Sequence, residues 1–407
     1  MGKTERETLK PVYLVEAVRS PIGRYGGALS SVRPDDLAAH VIRAIVTRHP
    51  TAKTALEHVV FGAANQAGED NRNVARMASL LAGLAYDVPG VTVNRLCGSG
   101  LEAIADAARM IAVGEVECAI AGGVESMSRA PYVMTKPREG FSRTPPELFD
   151  TALGWRFSNP KLAERFELLS MGETAENVAK KHGISRDDQD AFAVESHRRA
   201  AAATARGAFR RELVPLEVPQ KKGGALLVDV DECVRADASM EKLAGLKPVF
   251  RSDGSVTAGN SSPLNDGAAA VLLMSAGALE RTGLAPMARI VASATAGVDP
   301  NYMGEGPIPA IRKLLARTAL RIPNIEAFEL NEAFAAQALA CIRTLELDPA
   351  RVNADGGAIA LGHPIGCSGA RIVTTLVHGM KQRGASLGVA SLCVGVGQGI
   401  AMLIEQI

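Results

Sequence analysis

Aromatic side chains are scarce in this chain: they make up 4% of its 407 residues, and there is a single tryptophan. Sheet sandwiches and barrels draw heavily on such residues, so their scarcity beside 40 glycines points to a tightly packed α/β protein. Charge of one sign is missing too. Forty-five basic residues stand against 44 acidic ones, which excludes a chain-wide field for nucleic acid or a membrane surface. No apolar run reaches the length of a membrane span, and the charged opening MGKTERETLK has no apolar core of a secretory signal. A soluble cytoplasmic protein with no nucleic-acid and no membrane partner is expected.

Cysteine spacing excludes more. None of Cys97, Cys118, Cys233, Cys341, Cys367 and Cys393 forms a C-x-x-C pair or flanks paired histidines, so no metal is expected. Free thiols, mostly buried, are the natural reading for a long intracellular chain.

What is there is a duplication. VTVNRLCGSGLEAIADAARM and VNADGGAIALGHPIGCSGARIVTTLVHGM each run from a strand-like entry through a Gly-rich turn into Ser-Gly and an apolar helix. Each then closes on a small-residue strand, Ala119 to Gly123 in one and Val389 to Gly397 in the other. Two such units predict a duplicated α/β architecture with parallel sheets. PVYLVEAVRSPIG, HVVFGAANQAG, ARIVASATAG and IEAFELNEAF supply further strands. Between the halves lies a Pro-rich, charged and then helical region, with Ser185 and Asp188 spaced as a helix-capping pair. The expected division is residues 1–129 with 256–280 as the first half, 130–255 as an inserted lobe covering a ligand, and 281–407 as the second half.

Cys97 falls at a predicted helix N-terminus, where free N–H groups and the helix dipole favour a thiolate. His363, among the five glycines of GGAIALGHPIGCSG, and Cys393 in SLCVGVGQG stand at other strand-end turns. Open α/β folds bind ligands at such turns, and a thiol, a base and a second acid/base group suggest covalent catalysis. Taken singly, His363 reads equally as a core histidine, Cys393 as a strand thiol, and Asn331 as a helix N-cap. Gly98, Gly100 and Ala103 match the dinucleotide fingerprint, but no acidic residue follows a second strand, so NAD is not expected.

These motifs, with AGGVESMSRAPY, TAENVA, VTAGNSSPLNDGAAAVLLMS, MGEGPIPA and ELNEAFAAQALA, run through almost the whole chain, and the sequence resembles the thiolases. ANQAGEDNRNVARM and Val396, where most relatives have glycine, make it most similar to the 3-oxoadipyl-CoA thiolases of aromatic degradation. The resemblance implies a layered αβαβα thiolase fold and a CoA-dependent acyltransferase that cleaves a 3-oxoacyl-CoA. It implies coenzyme A as co-substrate rather than a tightly bound cofactor, and a homotetramer or homodimer. Cys97 matches the acylated nucleophile, His363 its activator, and Cys393 the acid/base at the acetyl-CoA methyl carbon. Asn331 matches the holder of a water in one oxyanion site, and the N–H groups of Cys97 and Gly395 match a second. Arg235, Phe250, Ser262 and Met171 match CoA-lining positions. The sequence departs from many relatives at Ser170, which replaces histidine, and at Pro263. Chemistry calls for a low-pKa thiolate at Cys97 and an ordinary thiol at Cys393, and a 3-oxoadipyl chain needs a cation, for which Arg72 and Arg129 are candidates. The alternatives are an acetoacetyl-CoA thiolase, a ketoacyl synthase, which would lack the thiol at Cys393, and a non-catalytic CoA- or lipid-binding protein of the same fold.

Overall fold

The computed structural model describes residues 9–407 except 138, 139, 141, 142, 144, 221 and 222. Nine strands carry the fold: β1 (Val12–Arg19), β2 (His58–Gly62), β3 (Gly90–Val93), β4 (Cys118–Ser126), β5 (Asn265–Met274), β6 (Ala288–Gly297), β7 (Ala327–Leu330), β8 (Leu387–Val394) and β9 (Gln398–Gln406). They form one sheet in the order β7-β8-β9-β6-β1-β5-β4-β2-β3, with the two-residue strand Gly23–Arg24 added beside β5. Its two halves are stitched by a short seam, Val12 to Leu14 against Ile290 to Ala288.

The strand pattern explains the layering. In β5, Ala269, Val271 and Leu273 face a central core, while Ala268, Ala270, Leu272 and Met274 face an outer one. In β9, Ile400, Met402 and Ile404 point to the same centre, and Ala401 and Leu403 point away. Strands apolar on both faces need cover on both. Helices α1 (Pro34–Arg48) and α2 (Val74–Leu81) cover the first half outside. The central layer is α3 (Ser99–Ala112), and α4 (Met171–His182) and α5 (Arg186–Ala205) belong to the lobe. Helices α6 (Pro307–Thr318) and α7 (Ala335–Thr344) cover the second half outside, and α8 (Ile365–Arg383) lies beside α3 in the centre. The expected αβαβα layering is therefore present.

The sheet is mixed, which corrects the expectation of parallel sheets. Only β2–β3, β2–β4 and β7–β8 pair in parallel. Three residues, Gly395 to Gly397, separate β8 from β9, too few for a crossover, so that pair must be a hairpin. In the first half β4 and β5 pair in the same antiparallel sense, but residues 127–264 replace the turn between them. That lobe is tied back to β1 by Arg19, fully buried and bonded to Glu212 and Asp231 at 2.6 Å each. Within it, Gly183 turns the chain left-handed between α4 and α5, and Ser185 and Asp188 form the expected capping box.

Two Ser-Gly pairs set the central layer. Ser99 donates to the Leu96 carbonyl and Ser368 to that of Pro364, so each serine closes the turn that opens its helix. The glycines let the helices touch backbone to backbone: a Cβ on Gly369 would lie 2.1 Å from the Leu101 nitrogen, and one on Gly100 2.7 Å from the Ala370 nitrogen. Gly369→Ala is expected to push the helices apart and destabilise the protein by about 3 kcal/mol. Gly277→Ala, in a helix where the added methyl meets nothing nearer than the Arg281 tip at 3.4 Å and the Glu117 carboxylate at 3.6 Å, is the control and should be neutral or mildly stabilising. Urea unfolding of the two variants is the measurement. Equal midpoints would show that the contact constrains nothing.

Candidate active site

The crossing places the starts of α3 and α8 side by side. Cys97 lies in the turn between β3 and α3, two residues ahead of the helix, and His363 lies two residues ahead of α8. Gly362, at φ +113°, turns the chain into His363 where a Cβ would strike Asn265, whose Oδ1 accepts from the His363 N–H at 2.8 Å. His363 Nδ1 sits 2.6 Å from Ser368 Oγ. Because that hydroxyl already donates to Pro364 O, it accepts from Nδ1–H, which leaves Nε2 as the unprotonated nitrogen.

The second half brings its groups through adjacent parallel strands. Asn331 follows β7, and its N–H donates to Ser391 O on β8 at 2.9 Å, so it stands level with the end that carries Cys393. It is not a helix cap, since α7 begins at Ala335. Its amide nitrogen is 3.5 Å from the His363 ring, and its Oδ1 is buried without a protein partner, an acceptor suited to an ordered water. Gly395 lines the same cavity wall as Cys97, near enough for its N–H to favour a Cys97 thiolate, and Cys393 is close enough that charge on Cys97 raises its pKa. The structure thus links Cys97 to Gly395 and Cys393, and His363 to Asn331.

Cys97, Gly395, Met171 and Ile365 line one cavity of about 390 Å³ at the C-terminal ends of the parallel strands. The lobe supplies a wall through residues 151–156 and 169–171. Phe250 packs flat against Gly172 and meets Phe334 edge to face, in the same cluster as Cys393 and Met171. Ser262 bonds Ala333 O through both its N–H and its hydroxyl. Arg235 is exposed on a separate loop, its N–H on His197, and does not line the cavity.

Charge differs from expectation at Cys97, whereas Cys393 is the neutral thiol expected but holds its proton more tightly. Burial pushes Cys97 up to about 11, although the N–H groups of Gly395 and Cys97 itself pull the other way. A helix terminus contributes about 0.3–1 kcal/mol, less than one pKa unit, whereas enclosure moves groups by about 3–5 units. Burial wins. Cys393, 1% exposed, is likewise held well above its ordinary value, first by burial and then by Cys97 and Cys341. Burial, helped by the Arg371 charge, drops His363 to about 4. The resting site is therefore uncharged: two thiols and a neutral imidazole.

The family description "Thiolase, N-terminal domain" matches residues 12–277, and "Thiolase, C-terminal domain" matches residues 284–406. The chain belongs to the thiolase family. It is 55% identical over 401 residues to a beta-ketoadipyl-CoA thiolase of Pseudomonas aeruginosa, covering 98% of this chain and 100% of the other. It is 52% identical over 402 residues to the 3-oxoadipyl-CoA/3-oxo-5,6-dehydrosuberyl-CoA thiolase of Escherichia coli, with the same coverage. The human mitochondrial 3-ketoacyl-CoA thiolase in complex with CoA superposes with a TM-score of 0.92 at 40% identity, over 98% of this chain and 99% of that one.

Three groups at this thiolase site escape sequence reasoning. Ser368, inside the His363 motif but not singled out there, and Asn265, 98 residues away, hold His363. Glu125, buried at the end of β4, accepts from the N–H groups of Ala64, Asn65 and Gly366, and burial still raises it to about 7. Gly98 and Gly100 serve packing rather than a pyrophosphate: a Cβ on Gly98 would meet Val394 at 2.9 Å. Because the Cys97 thiol is raised, its alkylation by iodoacetamide should climb roughly tenfold per pH unit through about pH 7–9. Peptide mass spectrometry mapped to Cys97 reads this out, and a plateau below pH 8 would reveal a thiolate already formed at rest.

Proposed function

We propose that this thiolase cleaves 3-oxoadipyl-CoA with coenzyme A into succinyl-CoA and acetyl-CoA, reversibly, through an acyl-enzyme on Cys97. The observation that carries the reaction is that Cys97 and Gly395 line one cavity, with Cys393 near enough to feel charge on Cys97. The chain length rests on similarity to relatives named for 3-oxoadipyl-CoA. Cys97 attacks the 3-oxo carbon while its proton passes to His363 Nε2, so negative charge develops on the substrate oxygen rather than on sulfur. Cleavage of the Cα–Cβ bond leaves an acetyl-CoA enolate, which takes the Cys393 proton. The Cys393 thiolate then takes the proton of free CoA, whose sulfur attacks the Cys97 thioester. Succinyl-CoA leaves, and His363 returns the proton to Cys97.

The N–H groups of Cys97 and Gly395 form one oxyanion site, and a water on Asn331 with His363 forms the other. Losing one such donor typically costs about 3 kcal/mol of transition-state stabilisation. Met171, Phe250 and Ser262 hold the pantetheine side of CoA in this reading, and Arg235 reaches only its adenine end. A homodimer or homotetramer is supported by the open edge at β3, with Val91, Leu80, Leu81 and Tyr86 exposed around it.

Cys97→Ser should abolish turnover and remove the acetyl adduct that intact-protein mass spectrometry finds after incubation with acetyl-CoA. An adduct that persists on Cys367 or Cys393 would overturn the assignment. Cys393→Ala should still acetylate Cys97 yet fail to exchange the methyl hydrogens of acetyl-CoA with deuterated water. Exchange at the wild-type rate would move the acid/base role elsewhere.

A further inference from the structure

Among the described residues, Arg156 is the one basic side chain in the wall of the cavity that holds Cys97, a wall otherwise built mainly of apolar residues. It is half-buried, and among the described residues no carboxylate pairs with it. Both neighbours are anchored. The Trp155 indole N–H donates to Leu169 O at 3.0 Å, just ahead of α4. Phe157 adopts a left-handed backbone, φ +52°, with its ring edge to face on Phe149 at 5.0 Å. Such a conformation at a bulky residue costs on the order of 1 kcal/mol or more, and it persists where its surroundings impose it. The other candidate cations are elsewhere: Arg129 is held bidentate by Glu69, and Arg72 is exposed outside the cavity. The carboxyl that the described residues place in the cavity wall, on Glu125, is engaged by three backbone N–H groups.

We infer that Arg156 binds the terminal carboxylate of the acyl chain and selects dicarboxylic over plain 3-oxoacyl-CoA substrates. This rests on the 3-oxoadipyl-CoA reading above. An arginine fork matches a carboxylate in geometry and charge, and a partly enclosed apolar wall strengthens the pairing. Arg156 takes no part in the bond-making steps, so its effect belongs in KM and in substrate preference.

The test compares kcat/KM of the full-length enzyme on 3-oxoadipyl-CoA and on 3-oxohexanoyl-CoA, the same carbon chain ending in a methyl group. Arg156→Ala should lower the ratio of the two by about 10- to 100-fold, mainly through KM, and Arg156→Lys should fall between. The turnover of 3-oxohexanoyl-CoA by each variant reports that it has folded. A ratio unchanged in Arg156→Ala, with wild-type preference for 3-oxoadipyl-CoA, would overturn the role of Arg156 alone. A wild-type enzyme that prefers 3-oxohexanoyl-CoA would overturn the proposed substrate, and this inference with it.

Discussion

The contact between Gly100 and Gly369 governs the geometry of this protein. Central helices with side chains at those positions would stand further apart, and the two turns that open them would no longer share a wall. Because the helices touch at their first turns, Cys97 and His363 arrive from opposite halves of the chain with no dedicated linker. Gly62 and Gly123 extend the same logic to the sheet, where a Cβ would strike Ser99 and Gly366 backbone at 2.2 and 2.1 Å. The scarcity of aromatic residues follows. A five-layer stack whose middle layer is packed this closely has room for alanine and glycine, not for large rings.

Tight packing also decides the charge state. Burial leaves Cys393 and His363 neutral, and at Cys97, half-buried on the cavity wall, it still outweighs the helix terminus that follows. Proton transfer before attack would place a thiolate and an imidazolium in that environment with no substrate to share the charge. Coupled to attack, the same transfer delivers charge to an oxygen that faces backbone N–H groups. Preorganised donors on a partly enclosed wall then act where charge develops and not before.

Much of this was legible in the sequence, for identifiable reasons. The strands of both halves, the helix after Cys97 and the Ser185 cap rest on local periodicity and capping chemistry, which are sequence-local properties. The thiolase motifs covered the remainder of the chain. Sheet direction was misread because the strand–helix–strand units hide a hairpin whose turn survives only in the second half. The Cys97 charge was misread because burial is a property of the packed molecule, invisible in the spacing around Cys97. Arg156 went unnoticed for the same reason: Arg72 and Arg129 look no different from it until Glu69 is seen to occupy one and the cavity wall to omit the other.

The halves are alike in plan but unequal in what they carry, and backbone strain marks the difference. Leu96, Phe157 and Val396 all adopt left-handed φ, at +46°, +52° and +63°. They adjoin Cys97, Arg156 and Gly395 in turn, and a Cβ on Gly395 would lie 3.2 Å from Leu96 Cδ1, so two of these turns are in contact. A β-branched residue such as Val396 is a poor choice for that conformation, and glycine would hold it without cost. Retaining a valine there gives up stability for a side chain that lines the acyl cavity. The cavity's reactive end is therefore built from turns of the duplicated core, whereas its far wall comes from the lobe that interrupts the first half. The lobe can therefore change its lining residues without disturbing the packing of Gly98 on Val394 that sets the turn of Cys97 against the turn of Gly395.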